Sequence, residues 1–405
     1  MRPSPLALSL VTATAIVATG WSAGRAAPPA VLRPAATAVD SAATAARDLR
    51  SDSSASVASA CSAPSVVSMH GPDDARDLAA LSSCRPGDAW SRIVDREQAA
   101  AQRCSAAGRP VDLTRVLQGA VPLDAPTVAH VRTVFRAGRL HGRRADAFGL
   151  VGDSMTVSSS FLGPFASGSS RAVVPSDVEG ALSLAVPRGG ARNVLDFFRA
   201  AHADDPRVAQ DPFVAPRAAK VGMRATWPLT PRGAKQATPI DEMVAAVSPA
   251  YAVVLYGAND ALWRTDSVDL LVRGFDGALT AIVDALEARG IVPILTTIPK
   301  HMRERGWPDC AASPTSGGNE RFAVQATVLS DTVADLACRR HLPLIDLRWA
   351  LDPLLDHGVG PDGIHLSVHP SGGGVLDAAG LACGINVQNL VTLRELARVV
   401  DATAW

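Results

Sequence analysis

Ser154 stands in Gly152-Asp153-Ser154, directly after the apolar run Ala147–Val151. A serine at the carboxyl end of a buried strand, where a helix opens, is surrounded by backbone N–H groups that can stabilise an oxyanion. Asn259 stands in Gly257-Ala258-Asn259-Asp260 after a second run, Tyr251–Tyr256. Its amide is a neutral donor suited to developing negative charge. Asp362 and His365 stand three apart in Asp362-Gly363-Ile364-His365, in a glycine-rich stretch after a last run. A serine nucleophile needs a base to take its proton, and the base needs an acceptor to fix its tautomer. The rival histidines His369 and His357 have Leu366 and Leu354 three residues before them, which makes Asp362 with His365 the better pair. Each motif alone also reads as turn chemistry: small polar residues after a strand, an Asx turn or helix cap, a surface histidine beside a turn aspartate. Together, in order, they supply nucleophile, oxyanion donor, orienter and base for acyl transfer.

The elements that must position these residues are short. Ala147–Val151, Tyr251–Tyr256, Ile291–Ile298 and Leu342–Leu347 are apolar runs without alternation, as in strands buried on both faces of a parallel sheet. Between them, Val268, Leu271, Val272, Phe275, Leu279, Ile282, Val283 and Leu286 keep helical spacing, with Asp266 or Ser267 as cap and Arg289-Gly290 as close. A weaker helix is expected over Arg321–Cys338. Thr392 and Glu395 have capping-box spacing for a last helix through Val399. Before the first strand, Asp124 is placed to cap a helix from Pro126 with Val128, Val131, Val134 and Phe135 on one face and Gly138 as its stop. Strands alternating with helices predict a doubly wound α/β domain with its site at the carboxyl ends of the strands.

The rest of the chain bounds the setting. Hydrophobic residues make up 47% and charged residues 19% of 405, which describes a globular chain. The 39 basic residues cancel the 39 acidic ones, so no bulk electrostatic affinity for nucleic acid or anionic membrane is expected. Arg2 followed by the uncharged run Leu6–Thr19 and small residues reads as a secretory signal peptide, with Ala18-Thr19-Gly20 or Gly24-Arg25-Ala26 as cleavage sites. The run is too short to span a bilayer comfortably, and an Ala-rich tail is the alternative. The organisation expected is a signal segment over 1–27, an Ala/Ser/Pro-rich linker over 28–60, a cysteine-containing helical or irregular extension over 61–145, and a catalytic domain over 146–405. Six cysteines (Cys61, Cys84, Cys104, Cys310, Cys338, Cys383) suit full pairing in an oxidising compartment, with at least one bridge between the early and late groups. Buried free thiols are the alternative. There is no C-x-x-C, no H-E-x-x-H and no Walker A pattern, so no metal or phosphate-binding site is predicted. Two motif matches are decoys. Gly20-Trp21-Ser22-Ala23-Gly24 lies in the signal segment without a strand before it, and Gly358–Gly363 serves the turns of the base loop.

The ordered set Gly152-Asp153-Ser154, Gly257-Ala258-Asn259-Asp260 and Asp362-Gly363-Ile364-His365 resembles the SGNH/GDSL hydrolase superfamily of serine esterases and lipases, over roughly residues 146–400. The resemblance implies a three-layer α/β/α sandwich, flavodoxin-like in its winding, and an activity with no metal or organic cofactor. It also implies a glycine between the first and third motifs whose N–H helps line the oxyanion hole. Gly222 fits that place best, with Gly180 and Gly190 as alternatives and an ordinary turn glycine as the plain reading. The long gap from Ser154 to Gly222 suggests an insertion near residues 187–217 able to form part of a substrate wall. Met155 replaces the leucine common after the serine, a volume-conserving change.

The expected reaction is hydrolysis of a carboxylic ester through an acyl-enzyme on Ser154. His365 acts as base, Asp362 orients it, and Ser154 N–H, Gly222 N–H and the Asn259 amide hold the oxyanion. An extracytoplasmic address suggests an O-acyl (acetyl) carbohydrate or a small ester as substrate. Trp227, Trp263 and Trp307 lie near motif loops, where they can stack on sugars or pack in core and rim. A lipase or lysophospholipase and a non-catalytic cell-surface binding protein with the same fold are the competing readings. Nucleic acid is not an expected partner, and no stable membrane insertion is expected once the signal is removed.

Overall fold

The computed structural model describes residues 111–200, 211–234, 236–262, 267–300, 318–360 and 363–404. The signal and linker expectations, Cys61, Cys84, Cys104, Cys310, Trp263, Trp307 and Asp362 lie outside these residues.

The apolar runs form strands. β1 (Arg144–Gly152) is followed by a two-stranded antiparallel hairpin, β2 (Ser183–Arg188) with β3 (Ala191–Asn193). Then come β4 (Ala218–Ala219), β5 (Pro249–Leu255), β6 (Val292–Thr296) and β7 (Leu344–Ile345). The central sheet has the order β4-β1-β5-β6-β7, and every pairing in it is parallel. Phe148 lies opposite Tyr251, Leu150 opposite Val253 and Gly152 opposite Leu255. Successive side chains of a strand point to opposite faces. Accordingly, Tyr251, Val253 and Leu255 enter one hydrophobic core, and Ala252, Val254 and Tyr256 enter the other.

Helices close both faces. On the first face lie α1 (Leu113–Leu117), α2 (Ala125–Leu140) and, further along the chain, the buried helix Gly384–Ala402. The short α3 (Ser154–Val157) follows β1, α4 (Ser176–Ala181) precedes the hairpin, and α5 (Val194–Ala200) adds Val194, Leu195, Phe197 and Phe198 to the first core. On the second face, α6 (Pro239–Val247) contributes Ile240 and Met243. The short α7 (Ala258–Ala261) follows β5. α8 (Val268–Glu287) contributes Leu271, Phe275, Leu279, Ile282, Val283 and Leu286, and α9 (Gly318–Arg340) contributes Leu329, Val333 and Leu336. After β7 come α10 (Leu347–Leu351) and α11, the buried helix Gly384–Ala402. Each large apolar side chain so buried stabilises the fold by about 1.5–3 kcal/mol before entropy is counted. The result is the three-layer α/β/α architecture expected of a doubly wound sheet.

Several boundaries depart from the sequence expectations. Asp124 does cap α2, accepting from Thr127 N at 2.8 Å, but Gly138 does not stop it. A Cβ there would lie 2.0 Å from Gly290 O, so Gly138 is a close-approach residue and the helix runs on to Leu140. Thr392 and Glu395 form no capping box. They sit inside α11, which starts at Gly384. Residues 111–145 supply Val116, Val131, Val134 and Phe135 to the same core as the sheet. Ser267, one of the two expected caps, does cap α8 through Leu270 N, while Asp266, the other, lies outside the described residues. Cys338 and Cys383 are disulfide-bonded. No helix among the described residues is long and apolar enough to cross a membrane.

Candidate active site

The sheet order places β1 and β5 side by side with connections leaving in opposite directions. A crevice opens at the carboxyl ends of strands at such a switch point, and ligands bind there. Ser154 follows β1 and Asn259 follows β5, so the winding itself brings them to that crevice.

The turn into α3 depends on Gly152. A Cβ at this position would stand 2.0 Å from Thr156 Oγ1 and 2.6 Å from Leu255 O, so only glycine admits the sharp exit from the strand. Asp153 then caps α3, accepting from Met155 N at 3.2 Å. Ser154 is half-buried, and its N–H makes no hydrogen bond among the described residues. Gly257 makes the matching turn after β5, with φ of 129° and Ile298 Cδ1 2.1 Å from where a Cβ would sit. Asn259 is half-buried, and its Nδ2 donates to Asp153 Oδ2 at 3.1 Å. One amide proton is thereby held.

His365 reaches this place from a separate loop. Its Nε2 lies 2.9 Å from Ser154 Oγ, within hydrogen-bond distance. The loop is closed by an antiparallel bridge between Val359 and Leu366 and by Gly360 N donating to His365 O at 2.6 Å. Gly358 and Gly363 have φ of 70° and 73°, which is the turn service expected of the glycine-rich stretch. Ser367 anchors the loop to α11, donating to Gly358 O and accepting from Gly384 N, each at 3.0 Å. The rival histidines are engaged elsewhere: His369 Nδ1 accepts from Ser371 N, and His357 Nδ1 lies 3.1 Å from Asp352 O. Asp362, the expected orienter, lies outside the described residues.

Gly222 sits in the turn that leaves β4, where Lys220 N donates to Gly152 O at 3.2 Å. It is exposed with φ of 75°, has open space where a Cβ would be, and its N–H makes no hydrogen bond among the described residues. The same loop is pinned further on. Asp260 accepts from Ala225 N, the shorter contact being 3.1 Å. Asn259 and Asp260 thus tie three segments together, one side chain to the turn after β1 and the next to the β4 loop.

The roles of Asp153 and Asp260 escape sequence reasoning, although both belong to the quoted motifs. Their partners lie far along the chain, and no local signal reveals them. Burial raises the Asp153 carboxyl to about 7, and the nearby Asp260 charge adds to this, while Met155 N–H, His365 and Asn259 pull the other way. Burial likewise raises Asp260 to about 6 against the Ala225 N–H bond and Arg224. Burial and these two carboxylates together push the Tyr256 phenol up, and its hydroxyl has no hydrogen-bond partner among the described residues.

The segment from Ser176 to Ala200 packs on β1 and α11 and borders a cleft of about 400 Å³ lined by Ser169, Glu179, Asn193, Asp196 and Arg199 among others. Neither Ser154, Asn259 nor His365 lines that cleft. Trp227 is half-buried, with the Arg232 guanidinium 4.9 Å above its ring.

A search of curated proteins finds no match. Among solved structures, the lipase/acylhydrolase from Enterococcus faecalis is similar at 17% identity, covering 62% of this chain and 95% of that one with a TM-score of 0.35. The model of the GDSL-like lipase/acylhydrolase family matches residues 150–374, a span that runs from the end of β1 through the loop that carries His365. That match covers more than half of the chain: it belongs to the GDSL-like lipase/acylhydrolase family and is an ester-hydrolysing hydrolase.

Proposed function

We propose that the protein is a secreted serine esterase that works through an acyl-enzyme on Ser154. The observation that carries this reading is the 2.9 Å approach of His365 Nε2 to Ser154 Oγ at the switch point of the sheet. His365 takes the hydroxyl proton as Oγ attacks the ester carbonyl carbon. The carbonyl oxygen gains the negative charge, and Ser154 N–H, Gly222 N–H and the unheld Asn259 N–H are its donors. Collapse of the tetrahedral intermediate expels the alkoxide leaving group, which takes the proton from the imidazolium. Water then attacks the acyl-enzyme with His365 as base again, releasing the acid and restoring Ser154. Asp362 is assigned to the other ring nitrogen of His365, where it fixes the tautomer and stabilises the imidazolium. Each oxyanion donor is worth about 3–4 kcal/mol of transition-state stabilisation in a preorganised site.

The preferred substrate class is an O-acetyl carbohydrate or another small ester. Half-buried Ser154, Asn259 and His365 remain reachable from the crevice, which suits a short acyl group. Secretion is supported by the charged-then-apolar residues that begin with Arg2 and by the bonded state of Cys338 and Cys383, since disulfides persist in oxidising compartments. The test is hydrolysis of p-nitrophenyl acetate and a panel of acetylated sugars by wild type, Ser154→Ala and His365→Ala. Equal rates in all three would end the assignment, and a preference for long acyl chains would move the substrate to lipids.

A further inference from the structure

Asn389 lies on α11, fully buried, and touches none of the reacting atoms. Its side chain joins the two loops that carry them. Oδ1 accepts from Leu162 N at 2.8 Å, and Nδ2 donates to Ser160 O at 2.9 Å and to Gly373 O at 2.8 Å. Ser160 and Leu162 belong to the segment that leaves the nucleophile helix α3. Gly373 belongs to the segment that leaves His365. One amide thus spends both protons and its oxygen on the continuation of the nucleophile turn and of the base loop.

Neighbouring geometry depends on the same contact. A Cβ at Gly373 would lie 2.1 Å from Ser160 O, so the two loops touch backbone to backbone. Leu162 has φ of 59°, a left-handed conformation unfavourable for leucine, and its N–H is the one Asn389 captures. Asn386, one turn earlier on α11, holds only the base side: its Nδ2 donates to Gly372 O and Val375 O, and its Oδ1 accepts from His369 N. Arg217 holds only the nucleophile side, donating to Thr156 O, Ser158 O and Phe161 O, and also to Phe213 O. Asn389 alone among these three spans both.

We infer that Asn389 is a positioning residue that sets the Ser154–His365 approach by clamping the loop after the nucleophile to the loop after the base. The inference rests on Ser154 and His365 carrying the reaction. An amide is the side chain this place requires, because two carbonyls and one N–H must be met at once in a site closed to water. Aspartate supplies no proton for the carbonyls, and leucine supplies nothing.

The test compares wild type with Asn389→Ala and with Gly373→Ala, which keeps Asn389 but sets a Cβ 2.1 Å from Ser160 O and 3.0 Å from Asn389 Nδ2, wedging the loops apart. Leu286→Ala, on the opposite face of the sheet, is the control for general loss of stability. The readouts are kcat and KM for p-nitrophenyl acetate and the rate of Ser154 labelling by a fluorophosphonate, both per folded molecule. A misplacement of about 1 Å costs on the order of 100-fold in rate. Both clamp variants are expected to lose about 10- to 100-fold in kcat and in labelling rate with KM little changed, while Leu286→Ala keeps both rates. If Asn389→Ala does not fold, Gly373→Ala is decided by the same numbers. If wild type is labelled and active but the clamp variants match it, the inference falls and the serine-esterase reading stands. If wild type itself is neither labelled nor active, both fall.

Discussion

Glu395 makes a quantitative test of the fold that surrounds the site. It is fully buried on α11, and neither carboxylate oxygen has a hydrogen-bond partner among the described residues. Arg398 Nη1 approaches Oε2 only to 3.7 Å and donates instead to Ala120 O, while Arg394 donates to Ala181 O. Burial therefore dominates and raises the carboxyl from 4.5 to about 8, against the opposing charges of Arg398 and Arg394. A carboxyl that holds its proton more tightly when folded makes the native state most stable below pH 4.5, and that stability is lost as pH rises through 8. The gap corresponds to on the order of 5 kcal/mol, and water penetration into the ionised core reduces it, so about 2–5 kcal/mol is expected. Glu395→Gln keeps the shape and removes the titration. Urea unfolding at pH 5 and pH 8.5 should show wild type losing this much more stability than Glu395→Gln over the same interval. Asp153 and Asp260, raised to about 7 and about 6, leave the variant a smaller slope of the same sign. Parallel losses in the two proteins would refute the burial argument.

Further outcomes follow from the site. Asn259→Ala should lower kcat about 100- to 1,000-fold with little change in KM, because its proposed role as oxyanion donor acts on charge that develops only in the transition state. Gly152→Ala should destabilise the protein by about 1–3 kcal/mol, read from the thermal midpoint, because its Cβ must displace Thr156 or Leu255 O. Arg217→Met should cost at least about 2 kcal/mol in urea unfolding, since it takes the only donor among the described residues from Thr156 O and Phe213 O and one of two donors from Ser158 O and Phe161 O, which keep Phe161 N and Gly163 N.

What the sequence shows and conceals follows from which contacts are local. β1, β5 and β6 are legible because both of their faces are buried, which leaves unbroken apolar runs. β4 is two alanines, too short to carry a pattern. The start of α11 is hidden for a different reason. Asn386, Gln388, Asn389, Thr392 and Glu395 are buried polar residues, so the hydrophobic period fails on a helix that is buried nearly all round. Those same asparagines serve the loops that frame the site. Ser154, Asn259 and His365 were identifiable because each sits at or near the end of a legible strand or in a glycine-rich loop. Asp153 as the partner of Asn259, and Asp260 as the partner of Ala225, depend on contacts between distant segments. Gly138 reads as a helix stop in sequence because its true reason, the approach of Gly290, is also distant.

In the proposed mechanism Ser154 is a nucleophile activated by His365. The most direct measurement is mass-spectrometric mapping of a fluorophosphonate adduct on wild type and His365→Ala. A single adduct on Ser154 is expected in wild type, with labelling at least about 1,000-fold slower in His365→Ala. An adduct on another residue, or equal labelling rates in the two proteins, would contradict that mechanism.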